Sequence, residues 1–261
     1  MMKHLLKKIS KGFLQITKIL AVAAMFAFVL VKSPQMHGNF IRHYVGKNVV
    51  KVMGPRGGGS GFQVVAPSGN QYIMTNNHIC LLADKKDMLD VYLLDAKYPI
   101  KRKVIKRLPH HDLCLLEPID GLRPLSVANN VSVGEMVGLI GHPGLRPLTL
   151  SKGEVIGTTV IELIFGVNMS EEICIGTLTL VKDMPNNFFK VLLESQGIES
   201  VCVAKLRTNM LNAISYGGNS GSPVVNIFGN VIGVLFAGNR SQPTDAYLVP
   251  LDVIKSFLKD M

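Results

Sequence analysis

A serine flanked by glycines lies in the segment SYGGNSGSPVV, residues 215–225. A nucleophilic serine needs an exposed hydroxyl and nearby backbone N–H groups that converge on the oxygen that becomes negative during acyl transfer. Glycine permits that backbone path. We therefore consider Ser220 as the nucleophile and the N–H groups of Gly218 and Ser220 as the oxyanion donors. A polar hairpin between two strands is the alternative interpretation of this segment.

A serine hydroxyl is a poor nucleophile unless a base, usually histidine, removes its proton and a carboxylate orients that histidine. Of the seven histidines, His78 is the best placed, because the alternating segment YIMTNNHIC delivers it to the end of a strand. Asp112 in HHDLCLLEP opens an apolar strand, where its carboxylate would be partly buried and would need a partner. Taken alone, His78 could be a surface or packed histidine and Asp112 a capping residue.

The elements that must position these residues are mainly strands. Short apolar or alternating segments follow one another between residues 49 and 249, separated by Gly, Pro, Asn and Asp. This pattern predicts an all-β sandwich or a pair of barrels, with two similar units at about residues 48–130 and 131–249. Helices are predicted in NNFFKVLLESQG, which starts at residue 186, and in the C-terminal segment LDVIKSFLKDM.

The N-terminal segment has the composition of a membrane-directed sequence. Five lysines within residues 1–18 precede thirteen uninterrupted apolar residues. We predict a basic segment over residues 1–12, a signal anchor or signal peptide over residues 13–32 and a linker over residues 33–47. The charge pattern predicts a membrane-anchored protein whose remaining chain is extracytoplasmic, that is periplasmic, extracellular or lumenal. The chain would be secreted if the segment is cleaved, but no convincing cleavage site precedes Lys32.

The formal net charge of +10 comes from the N-terminal part of the chain. No acidic residue precedes Asp84, and the 18 basic residues in 84–261 balance all 18 acids. A nucleic-acid binder would need a basic surface on its folded part. The distribution therefore argues against nucleic acid as a partner.

Four cysteines are present, at positions 80, 114, 174 and 202. None forms a CxxC motif, so we predict no metal site and no cofactor. If all four are oxidised, three complete pairings are possible. Cys174–Cys202 could staple one sub-domain, and reduced buried cysteines are the alternative.

The order His78, Asp112, Ser220 resembles that of trypsin-like serine proteases, and the likeness is greatest to the HtrA (DegP-type) branch. Six segments carry it in order: GSGFQVV, YIMTNNHIC, DLCLLEP, LIGHPGLRPLTLSKGEVIG, GNSGSPVVNIFGNVIGVLFAG and AYLVPLDVIKSFL. The resemblance implies a protease domain over residues 48–261, built from two six-stranded antiparallel chymotrypsin-like β-barrels and a C-terminal helix over residues 250–261. It implies a serine endopeptidase whose site lies in the cleft between the barrels.

The resemblance also implies a specificity pocket for the residue before the scissile bond. In the family two segments form it, and here they are residues 214–216 and 236–238. The corresponding side chains are Ile214, Ser215, Tyr216, Phe236, Ala237 and Gly238. No acid stands at the pocket base, so cleavage after small or medium apolar residues is expected.

Several features depart from the family pattern. Ser222 replaces the second glycine of the usual GNSGGP, and Ile79 separates His78 from Cys80, which leaves the trypsin-type disulfide in doubt. Extra residues within 163–207 could form a lid, a partner surface or an elongated hairpin. The resemblance continues into no PDZ domain, so regulation by a PDZ peptide sensor is not implied. A catalytically silent protease-fold binding protein and a viral-type polyprotein-processing protease are the alternative interpretations.

Overall fold

The first of two β units is a closed barrel of six antiparallel strands. In the computed structural model, residues 38–167, 177–184, 188–239 and 244–261 are described, together with residues 20 and 242. The barrel consists of β1 (Val49–Gly54), β2 (Gly57–Val65), β3 (Gln71–Thr75), β4 (Met88–Tyr92), β5 (Ile100–Leu108) and β6 (Leu113–Leu116). The strand order is β1-β2-β3-β6-β5-β4, and β4 pairs back with β1. The six-stranded first barrel is therefore confirmed.

The second unit is a sheet of seven strands rather than six. It consists of β7 (Met136–Gly141), β8 (Thr149–Val167), β9 (Thr177–Leu180), β10 (Ser200–Asn212), β11 (Pro223–Asn226), β12 (Val231–Gly238) and β13 (Asp245–Val249). The order is β13-β12-β11-β7-β8-β10-β9, and β13 also pairs with β10. Six strands thus close into a ring, while β9 lies outside it on β10. The sequence analysis missed this added strand.

Burial follows the two-residue period of a strand where one face meets water. In β4, Leu89 and Val91 are buried while their neighbours are partly exposed. In contrast, β6 and β11 are buried throughout. The two barrels share one core, in which Phe62 and Met74 of the first cluster with Val225 of the second. This shared core fixes the cleft between the barrels.

Three α-helices are described, α1 (Asn77–Cys80), α2 (Phe188–Ser195) and α3 (Leu251–Lys259). The helices α2 and α3 lie in the two segments for which the sequence predicted helix, so both predictions are confirmed. In α3 the buried residues recur at helical spacing and face the core: Leu251, Ile254, Phe257 and Leu258. None of the helices in the described ranges is long and apolar enough to cross a membrane.

The extra residues form an elongated hairpin. Strands β8 and β10 pair from Val167 and Val201 down to Glu154 and Asn212, with β9 and α2 at the far end. A small separate cluster contains Val181, Leu193 and Val201. Cys202 in β10 is disulfide-bonded, and Cys174, the other end of the predicted staple, lies outside the described residues.

The structure bears on the N-terminal predictions only in part. The predicted segments 1–12 and 13–32 lie outside the described residues, apart from residue 20. The predicted linker 33–47 is helical in its described part, where a π-helical turn spans Ile41–Val45. Ile41 and Val45 are buried in the shared core. The folded region therefore begins before residue 48, because this apolar pair, four residues apart, docks the turn onto the barrels.

A disulfide joins the end of α1 to β6. Cys80 and Cys114 are both fully buried, and their bond spans 34 residues of chain. The sequence left this pairing open. The alternative of reduced cysteines is wrong for these two residues.

Ser222, the departure from the GNSGGP pattern, packs against Gly141 at the end of β7. The side chain of Ser222 is fully buried. A Cβ added to Gly141 would collide with the Ser222 Oγ and lie 3.0 Å from the Ser222 Cβ. The serine thus occupies the space that a side chain at position 141 would need.

We expect Gly141→Ala to lower the free energy of unfolding by about 1–3 kcal/mol, because it overpacks this site. Adding Ser222→Gly should restore much of the loss, since the nearest obstructing side chain is then gone and only the Ser60 Oγ, 2.9 Å from the Cβ position, must adjust. Denaturant unfolding of the two single variants and the double variant measures the coupling. Purely additive changes in unfolding free energy would contradict the packing assigned to Ser222.

Candidate active site

His78 and Asp112 are joined by two hydrogen bonds. His78 lies in α1, directly after β3, and its Nδ1 is 2.7 Å from Asp112 Oδ2. The backbone N–H of His78 donates to Asp112 Oδ1 at 2.8 Å. The Asp112 side chain is only 3% exposed, whereas that of His78 is 39% exposed. The carboxylate therefore fixes the imidazole through Nδ1, while the His78 side chain stays partly exposed.

The backbone of Asp112 aims this carboxylate. Asp112 follows the 3₁₀ turn Pro109–His111 and adopts a left-handed conformation, with φ 52° and ψ 42°. Asp tolerates this region better than most residues. The Asp112 carbonyl accepts a hydrogen bond from Asn76 Nδ2 at 2.9 Å, and its N–H donates to the Pro109 carbonyl. Asp112 thus stands just before β6, where the sequence predicted a partly buried acid.

The disulfide reinforces the same pair of segments. Cys80 lies two residues after His78, and Cys114 lies two residues after Asp112. A covalent bond and a pair of hydrogen bonds therefore connect α1 to the start of β6 side by side. Any separation of the two backbone segments that carry the imidazole and the carboxylate must also distort the chain around this disulfide.

Ser220 lies in the loop between β10 and β11, which we call the nucleophile loop (residues 215–222). The Ser220 carbonyl accepts the N–H of Ser60 in β2 at 2.7 Å. A Cβ on Gly59 would lie 2.6 Å from the Ser220 carbonyl oxygen and 2.8 Å from the Cδ1 of Ile79, the neighbour of His78. The loop and α1 thus meet at Gly59, which brings Ser220 and His78 to the same edge of the cleft.

The hydroxyl of Ser220 makes no hydrogen bond to His78 in the described part of the chain. Within the described ranges, both hydrogen bonds of His78 go to Asp112, and the Ser220 Oγ makes none. Catalytic hydrogen bonds are often long in a free enzyme and tighten when substrate binds.

The predicted oxyanion donors lie in a tightly fixed loop. Gly218 has φ +91°, and a Cβ there would lie 2.5 Å from the His142 carbonyl oxygen and 2.8 Å from the Leu145 nitrogen, so only glycine fits. The Gly144 N–H donates to the Gly217 carbonyl and fixes the peptide that carries the Gly218 N–H. In the described part of the chain, the N–H groups of Gly218 and Ser220 have no acceptor.

Two residues that the sequence analysis did not assign to the site hold this loop. Ser60 bonds to the nucleophile loop, and His142 begins the turn that carries Gly144. His142 is buried, and its Nδ1 lies 3.0 Å from the Arg146 carbonyl oxygen. Burial lowers the pKa of His142, with a further lowering from Lys51, while the bond to Arg146 opposes it. The GSG and LIGHPG segments were both part of the family resemblance, but only the contacts in the structure show that Ser60 and His142 hold this loop.

A cavity of about 380 Å³ adjoins Ser220. Its lining residues are Ser215, Tyr216, Gly217, Ser220, Leu235, Ala237, Gly238 and Asn239. Four of the six predicted pocket residues line it, whereas Ile214 and Phe236 do not. Ile214 is exposed, and Phe236 is buried in the shared core, since consecutive strand residues point to opposite faces.

The residues that line this cavity are uncharged. None of the residues that line it in the described ranges is acidic. Asp245 stands behind the lining, where its Oδ2 accepts a bond from Asn239 Nδ2 at 3.4 Å. The Ser215 Oγ is buried without a partner in the described chain, beneath Gly238.

Known proteins share this architecture. The putative protease Do-like 12, mitochondrial, of Arabidopsis thaliana is 27% identical over 207 residues. That match covers 77% of this chain, and the chain spans about a third of that relative, 33% of its length. A protease of Mycobacterium tuberculosis in its active form superposes with a TM-score of 0.61 at 19% identity, covering 86% of this chain and 85% of that one.

The serine endoprotease of Yersinia pestis has the same fold, with a TM-score of 0.58 and 16% identity over 88% of this chain and 68% of that one. The family model of the trypsin-like peptidase domain matches residues 59–234, which include His78, Asp112 and Ser220. The chain therefore belongs to the trypsin-like peptidase family, the serine endopeptidases to which its HtrA-like sequence segments pointed.

Proposed function

We propose that the chain cleaves peptide bonds with His78, Asp112 and Ser220 as a catalytic triad. The observation that carries this proposal is the pair of hydrogen bonds between Asp112 and His78, one at the imidazole Nδ1 and one at the backbone N–H. With its proton on Nδ1, the imidazole accepts a second proton at Nε2. The Ser220 loop, held at Gly59 and Ser60, supplies the nucleophile at the same edge of the cleft.

Each proton has a defined path in this reaction. The Ser220 Oγ attacks the scissile carbonyl carbon while His78 Nε2 accepts the hydroxyl proton. The imidazolium returns this proton to the leaving amine as the C–N bond breaks, which leaves an acyl-enzyme. Water then attacks the ester with His78 again as base, and Ser220 regains its proton as the acid departs. Asp112 stabilises the imidazolium that forms in both halves.

The negative charge of the tetrahedral intermediate falls on the former carbonyl oxygen. The free N–H groups of Gly218 and Ser220 are its donors. Such donors are already in place before the reaction, so they stabilise the transition state without reorganisation. The loss of one typically lowers kcat by about 10²–10³.

We expect Ser220→Ala to abolish labelling by a fluorophosphonate probe and Asp112→Asn to lower kcat by about 10⁴, because the amide favours the wrong imidazole tautomer. Asp87→Asn is the matched control. Asp87 also has a left-handed backbone, but it is exposed and pairs with Arg107. A wild-type protein that stays unlabelled under all conditions would favour the silent binding protein instead.

The cavity beside Ser220 is proposed to receive the side chain before the scissile bond. Its volume and the side chains of Leu235 and Ala237 suit a small or medium apolar group. A Lys or Arg there would lose its hydration without a carboxylate in the lining.

Digestion of a peptide library should therefore show cleavage after residues such as Ala, Val or Leu. Asp245→Asn should leave this preference unchanged, since the acid lies behind Asn239. Strong cleavage after Arg or Lys, lost in Asp245→Asn, would contradict the proposed specificity.

As part of this function, residues 13–32 would anchor the chain in a membrane with the protease domain on the extracytoplasmic side, or direct its secretion if cleaved. The lysine-rich segment before the apolar run supports this orientation. The buried Cys80–Cys114 disulfide suits an oxidising compartment. Partners would be protein or peptide substrates, without nucleic acid.

A C-terminal tag on the full chain tests this orientation in bacterial cells. External protease should remove the tag in spheroplasts without lysis, while a cytoplasmic marker protein stays intact. A tag that is cleaved only after lysis would contradict the extracytoplasmic location.

A further inference from the structure

Ser60 in β2 uses every polar group it has within the site region. It is fully buried. Its N–H donates to the Ser220 carbonyl at 2.7 Å, and its carbonyl accepts the hydroxyl of Thr75 at 2.7 Å. Its Oγ donates to the Gly218 carbonyl at 2.9 Å and accepts the N–H of His142 at 2.9 Å. The first barrel thus bonds to both segments that build the oxyanion hole.

One of the two hydrogen bonds of the Ser60 hydroxyl acts on the peptide after Gly218. The preceding peptide is held at the Gly217 carbonyl by the Gly144 N–H. The following one is held at the Gly218 carbonyl by the Ser60 Oγ. Since glycine populates left-handed and right-handed backbone about equally, Gly218 itself does little to keep its N–H aimed at the substrate. Its orientation depends on these two carbonyl contacts.

The same hydroxyl also controls the other contact. It accepts the N–H of His142, the residue that begins the turn carrying Gly144. Loss of the hydroxyl would leave the Gly218 carbonyl and the His142 N–H with one partner fewer. A rotation of the peptide after Gly218 would let its carbonyl find another partner and so relieve this loss.

We propose that Ser60 is a positioning residue that holds the oxyanion hole in its anion-accepting orientation through its hydroxyl. This inference rests on the proposed serine endopeptidase function. It assigns to the GSG segment a task beyond strand formation. Ser60 touches no substrate atom in this assignment and acts only through Gly218 and the turn at His142.

The chain offers a matched control for this assignment. Ser222 is also fully buried, and its Oγ has no hydrogen-bond partner among the described residues. Its Oγ lies beside the same Gly141, whose Cβ position is 2.9 Å from the Ser60 Oγ and collides with the Ser222 Oγ. Removing one hydroxyl or the other therefore empties neighbouring space of equal size, but only Ser60 bonds to the oxyanion loop.

The test compares Ser60→Ala, Ser60→Thr and Ser222→Ala in the full chain. The concentration of active sites is titrated for each variant, and the rates are divided by it. For Ser60→Ala we expect kcat to fall about tenfold or more while KM changes less than about threefold. The affinity for a peptide boronate should fall in parallel with kcat/KM, but that for a non-reactive product peptide should not. Ser60→Thr, which keeps the hydroxyl, should recover much of kcat, and Ser222→Ala should lose clearly less of kcat than Ser60→Ala.

Two results would overturn the assignment. One is a Ser60→Ala variant whose kcat and boronate affinity match those of Ser222→Ala. The other is an equal loss of boronate and product-peptide affinity, which indicates general disorder of the cleft. Failure of the proposed function is distinguishable from both, because the wild type itself would then neither react with fluorophosphonate nor bind boronate.

Discussion

The two barrels carry different parts of the site, and the hydrogen bond between the Ser60 N–H and the Ser220 carbonyl joins them. Its short length requires bare backbone on both sides. A side chain at Gly59 would strike the Ser220 carbonyl, and one at Gly221 would strike the Ser60 carbonyl. The glycines of GSG and NSG therefore serve one contact. This contact adds to the shared core a direct link between the segments of the first barrel that carry the proposed base and acid and the loop of the second that carries the proposed nucleophile.

How far the sequence predicts this site depends on how local the determinants are. His78 and Asp112 lie close to strand boundaries, and their types and order make them candidates before any contact is known. The pairing of Cys80 with Cys114 is a long-range contact, and the sequence left it open for that reason. Phe236 was assigned to the pocket by family position. In the structure it faces the shared core, because the side of a strand to which a residue points depends on register.

Composition also concealed structure at the N-terminus. Residues 33–47 are polar and basic enough to be interpreted as a linker. Among them, however, Ile41 and Val45 form an apolar pair that docks onto the barrels. Ser222 is the opposite case, because its residue type departs from the family pattern although its side chain fits the fold. Gly141 on β7 has no side chain, and the Ser222 side chain fills the space that this leaves. The serine at position 222 thus looks like a change of chemistry in its own segment, but the missing side chain at position 141 in another segment explains it. Neither residue alone reveals this.

The burial difference between Asp112 and His78 has a catalytic consequence. A carboxylate that is almost fully buried loses most of its hydration, and here two N–H groups of one residue replace it. If the imidazole were equally buried, its protonated form would be costly, since desolvation disfavours the charged state. The His78 side chain instead stays 39% exposed, while the buried acid keeps the ring oriented. The disulfide two residues beyond each partner ties the two segments together, so the backbone holds the exposed ring against the buried acid.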